Sequence, residues 1–84
     1  MAKIDVKKLK RLDKHNSKEH EEVRGTFTIF KYNGKKFFQI DTYGSANREH
    51  TEKISQSFQI DEDSAKELIR MLNSEFEEDF NAHI

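Results

Sequence analysis

Side chains able to do covalent or metal chemistry are few in this chain, and they are scattered. The four histidines are His15, His20, His50 and His83. None stands two to four residues from another, the spacing that brings two ligands onto one helix face or one strand. There is no cysteine, which removes thiolate nucleophiles, disulfides and sulfur metal ligands together. Ser45, Ser55 and Ser57 lie in no nucleophile motif, and the three glycines build no phosphate-binding loop. These residues predict a protein that is not an enzyme and that carries neither cofactor nor metal ion.

A denser pattern, suited to non-covalent binding, lies between Thr26 and Tyr43. The runs TFTIFKY and KKFFQIDTY flank Asn33-Gly34. A two-residue Asn-Gly loop favours a type I′ turn, whose twist matches that of the strands it joins. The turn fixes the register: Tyr32 opposite Lys35, Phe30 opposite Phe37, Ile29 opposite Phe38, Thr28 opposite Gln39 and Phe27 opposite Ile40. Side chains alternate between faces along each strand. One face then carries Phe27, Ile29, Phe38 and Ile40, with Lys31 and Lys36 at the tip, and is expected to meet the core. The other mixes Phe30, Tyr32, Phe37 and Tyr43 with Thr26, Thr28, Lys35, Gln39 and Asp41. Rings beside cations and amides on an open sheet suit single-stranded nucleic acid, where bases stack on rings and phosphates meet cations. The candidate contacts are Phe30, Tyr32, Lys35, Phe37, Gln39, Tyr43, Arg48 and Lys53. Rings of this kind are also the means by which a sheet buries against a second protein.

Further elements must hold that hairpin in place. In residues 53–60, KISQSFQI, the alternation puts Ile54, Gln56, Phe58 and Ile60 on one face of a third strand. Residues 61–80 carry Ala65, Leu68, Ile69, Leu72, Phe76 and Phe80 at helical spacing. Asp61 is the expected N-cap, and Ser64 with Glu67 offers an alternative capping box one turn later. The expected elements are strands at 26–32, 35–43 and 53–60 and a helix at 62–80. Together they make one α+β domain over 25–84, an antiparallel sheet packed on a single C-terminal helix. Its expected core is Phe27, Ile29, Phe38, Ile40, Phe58, Leu68, Leu72 and Phe76. The charged segment 1–24 is read as an edge strand over 3–12 followed by a mobile connector. One helix covers one side of such a sheet, which leaves Phe30, Phe37 and Tyr43 for a homodimer contact.

The 84 residues suffice for one domain near the lower size limit of a single core. Hydrophobic residues make up 33% and charged residues 37%, so burial must be concentrated in a few segments. No apolar run is long enough for a membrane span or a secretory leader. The lack of cysteine in so small a domain points to the cytoplasm. The net charge of −1 hides an asymmetry. Residues 1–24 hold eight Lys/Arg and five Asp/Glu, whereas residues 61–84 hold two and eight. Such polarity can orient a molecule toward a polyanion.

The stretch Phe37 to Leu72 resembles the positive cofactor four family of transcriptional coactivators and its small bacterial single-stranded-DNA-binding members. Phe38-Gln39-Ile40-Asp41-Thr42-Tyr43 stands on the family's aromatic-x-Ile-Arg-x-aromatic strand. Lys53-Ile54-Ser55 through Ile60 stands on its Lys-x-Ile-Ser-like strand, and Asp61 to Leu72 on its acidic-capped helix. Asp41 replaces the family's Arg, and the Gly before the Ile-Ser strand is missing. The resemblance implies an antiparallel sheet with one C-terminal helix, dimerisation, and a DNA-backbone contact from Lys53. The sequence thus leads to a small binding protein for single-stranded DNA or RNA. The alternative is a protein-interaction module, a small regulator or inhibitor such as mobile elements encode, using the same face or the acidic helix.

Overall fold

The computed structural model describes residues 1–14, 17–44 and 53–77. It is an α+β fold of four strands and one helix: β1 (Ala2–Lys3), β2 (Gly25–Tyr32), β3 (Lys35–Tyr43), β4 (Ile54–Asp61) and α1 (Glu62–Glu75). The strand order is β1-β4-β3-β2, with β1 parallel to β4 and the remaining pairs antiparallel. The hairpin closes as its turn residues demand. Asn33 and Gly34 both have positive φ, 52° and 77°, and all eight pairs from Gly25↔Thr42 to Tyr32↔Lys35 follow. The N-terminal edge strand expected over 3–12 is present but much shorter, as β1 (Ala2–Lys3). Pairing stops after Lys3, and Val6–Lys8 turns into a short 3₁₀ helix capped by the Asp5 carboxylate. The connector expected after it lies in the coil between that turn and β2, and His15 and Asn16 fall outside the described residues.

β4 departs from simple alternation at its start. A bulge between Thr42 and Tyr43 pairs Tyr43 with Ile54, whereas Thr42 pairs with Gln56. The extra residue takes Ile54 out of the face that Gln56, Phe58 and Ile60 share. Asp61 caps α1 as expected, its Oδ1 accepting the Ser64 N–H at 2.8 Å. The alternative capping box does not form, because Ser64 is used elsewhere. Its Oγ accepts the buried Val6 N–H at 3.0 Å and lies 3.4 Å from the Ile4 carbonyl, which it can reach as a donor. One hydroxyl thus ties residues 4–6 to the first turn of the helix. α1 spans Glu62–Glu75 with Phe76 as C-cap, and the expected end at Phe80 lies outside the described residues.

The core is smaller than the pattern implies. Among the described apolar side chains only Val6 and Ile60 are almost wholly buried, at 3% and 6% exposed. Phe38, Ile40, Phe58 and Leu68 are half-buried. The other four expected core residues are largely open: Phe27 at 67%, Ile29 at 56%, Leu72 at 48% and Phe76 at 58%. The reason lies in where the helix sits. α1 packs mainly against β3, β4 and the Val6–Lys8 turn, and much less against β2. The stripe Ala65/Ile69/Leu72/Phe76 therefore falls on the flank of α1 away from the segment that Ser64 and Glu75 bind. No described helix is long and apolar enough to cross a membrane.

Candidate nucleic-acid interface

The sheet face opposite α1 gathers most of the candidate residues. Phe30, Tyr32, Lys35, Phe37, Gln39 and Tyr43 share it because the turn sets their parity. Phe30 and Phe37 are stacked, with centroids 5.4 Å apart and ring planes 21° from parallel. Tyr32 is 66% exposed at the tip, opposite Lys35. Tyr43 sits at the other end, where its hydroxyl is 3.1 Å from Thr26 Oγ1. Lys53 lies just before β4 and is exposed. Arg48 lies outside the described residues.

Two cations outside the expected contact set join this face. Lys3 Nζ stands 5.7 Å from the Phe37 ring centre, and the Arg24 guanidinium stands 4.1 Å from that of Tyr43. Arg24 had a local signal: the hairpin continues one pair past Gly25, with Tyr43 N–H donating to the Arg24 carbonyl at 3.0 Å. Lys3 had none, since it reaches the face only through the parallel pairing with Gln59.

Between the rings runs a polar row. Gln59 Nε2 donates to Gln39 Oε1 at 2.7 Å, and Gln39 Nε2 donates to Asp41 Oδ1 at 2.8 Å. The Ser57 hydroxyl donates to the same Asp41 oxygen. Asp41 is only 7% exposed. The Ser57 hydroxyl, then the Gln39 amide, hold its carboxyl below the usual range, against a smaller opposing effect of burial. Asp41 is therefore an ionised acceptor in the middle of the face.

The hairpin tip has its own electrostatics. Lys31, Lys35 and Lys36 line a shallow depression with Asp61, Glu62 and Asp63 at the start of α1. The Ser64 amide depresses the Asp61 pKa most, and Lys3 and Lys35 add to the effect. Lys35 thus already faces a carboxylate across the depression. Among the described residues no group of three or more His, Asp or Glu is arranged to hold a metal ion.

No protein-family model, no curated protein and no solved structure matches the chain.

Proposed function

We propose that this is a non-enzymatic protein that binds single-stranded nucleic acid on the sheet face opposite α1. The observation that carries the reading is the stacked Phe30–Phe37 pair with the Lys3 ammonium beside it, on a face over which no described strand or helix packs. Ring faces and cations side by side are what a base and its phosphate require, and stacking is worth about 1–3 kcal/mol per base. Gln39 and Gln59 offer amide groups between the rings. Tyr43 with Arg24 supports the same chemistry at the far end. The resemblance to positive cofactor four points the same way and adds Lys53 as a backbone contact.

One observation favours the second reading, a protein-interaction module: the ionised Asp41 carboxylate lies where a phosphate would be repelled. A labelled-oligonucleotide titration separates the two. Single strands are expected to bind at low salt, with affinity falling modestly as salt rises, because few cations displace counterions. Duplex binds more weakly, since paired bases cannot lie on a sheet. Phe37→Ala weakens binding and keeps the salt slope, whereas Lys35→Ala flattens it. No single-strand binding at tens of micromolar protein and low salt removes this reading in favour of a protein partner.

A further inference from the structure

The side of the molecule that carries α1 has an apolar surface that no other described element covers. Phe27 and Ile29 of β2 lie on it, together with Ile69, Leu72 and Phe76 of the helix flank, all between 48% and 67% exposed. A groove lined by Ile29, Phe38 and Ala65 joins the two groups. Positions 65, 69, 72 and 76 follow one another at spacings of four, three and four, which places them along one flank of a helix. The neighbouring flank, about 100° round the helix, is occupied by the N-terminal segment, through Ser64 to Val6 and an Arg11–Glu75 ion pair of 2.8 Å.

β2 is also the free edge of the sheet. Its closing pair, Tyr32 with Lys35, and every second pair after it bond to β3, so the amides of Phe27, Ile29 and Lys31 point outward. Natural edges are blunted by charge, proline, bulges or shortness. This one runs eight residues in unbroken register, with Lys31 as its one charged side chain and no proline in the chain.

We infer that the occupant of this edge and face is a second copy of the chain, related by a two-fold axis beside β2. The surface is self-complementary: each protomer offers a bare strand that needs a helix flank and a helix flank that needs a bare strand. At about 200 Å² per large side chain, half to two-thirds exposure leaves about 500–600 Å² of apolar surface on each copy. If all of it is buried, two copies bring about 1,100 Å² together, at the ~1,000 Å² lower bound for a biological interface. This contact replaces the homodimer expected through Phe30, Phe37 and Tyr43. It does not rest on the nucleic-acid reading, and its test contains no nucleic acid.

Sedimentation velocity of the full chain from 1 to 100 micromolar tests the inference, with far-UV circular dichroism to confirm folding. The expected result is a dimer. Ile69→Lys and Ile29→Lys, each exposed in a single copy, should give folded monomers or weaken association at least tenfold. A chain made with N-methyl-Ile29 loses one outward amide and keeps its side chain; it should also weaken association. Should both lysine variants fail to fold, Phe76→Lys, beyond the last helical residue, carries the same expectation. A folded wild-type monomer at 100 micromolar overturns the inference and leaves the surface to another protein. A dimer unaffected by the folded variants overturns it too, as does one dissociated only by Phe30→Lys on the opposite face.

Discussion

Asp41 sits at the centre of the candidate interface, and its surroundings decide how that face behaves with pH. In the folded chain Ser57 and Gln39 hold its pKa below the ordinary 3.8. Asp61 and Glu67 are lowered as well, chiefly by the Ser64 amide and by Arg70. The unfolded chain therefore binds more protons than the folded one in the acid range. The stabilisation is fully present above the ordinary carboxylate value and is lost as pH falls through the depressed folded value. Thermal melts followed by circular dichroism should show a midpoint that drops below about pH 4. Asp41→Asn keeps an oxygen for both donors and removes the charge. It should lower the midpoint at pH 7 and make the acid drop shallower, because the neutral side chain lacks the stabilisation that the ionised form gains from both donors; an unaltered drop would assign it to Asp61 and Glu67. On the proposed function the same variant raises single-strand affinity at low salt several-fold, because it removes a carboxylate set among the rings.

At the scale of elements, local chemistry and long-range pairing part company. The hairpin was legible pair by pair, because Asn33-Gly34 fixes both the turn and the parity of every residue after it. Gly34→Ala should cost about 1–2 kcal/mol by urea unfolding, since its φ of 77° is unfavourable for a side chain. An added Cβ there meets no atom within 4 Å, so no clash contributes. A loss below about 0.5 kcal/mol would mean the turn relaxes to another type. The start of α1 was legible from Asp61 for the same local reason. The parallel pairing of β1 was not, because two residues have no period and their partners lie 56 positions away. Nor was the role of Ser64, which reads as a helix-start residue and instead holds the Val6 amide. Ser64→Ala orphans that buried donor and should cost about 1–3 kcal/mol. Ser64→Thr, which restores the hydroxyl, should recover part of the loss. Equal effects of the two variants would show that the hydroxyl bond contributes little.

For the whole molecule, the sequence pattern identifies which side chains are apolar but not which of them one copy can bury. Leu68 and Leu72 share the helical stripe, yet Leu68 is half-buried while Leu72 remains 48% exposed. The Cα radius of gyration, 15.6 Å, exceeds the ~12 Å of a compact chain of this length. Among the described residues two nearly buried apolar side chains make a thin core. If a second copy completes that core, folding and association are linked, and the melting temperature must rise with protein concentration. Leu68→Ala should lower stability by about 2 kcal/mol at every concentration, the low end for a leucine truncation because the site is half-buried. Leu72→Ser touches little inside one copy, so it should lower the melting temperature at high concentration and nearly abolish the concentration dependence. Melts of the three proteins at 5 and 200 micromolar distinguish the cases. A wild-type melting temperature that stays constant across that range, with Leu72→Ser as stable as wild type at both, would mean that one copy is stable with its apolar flank in water.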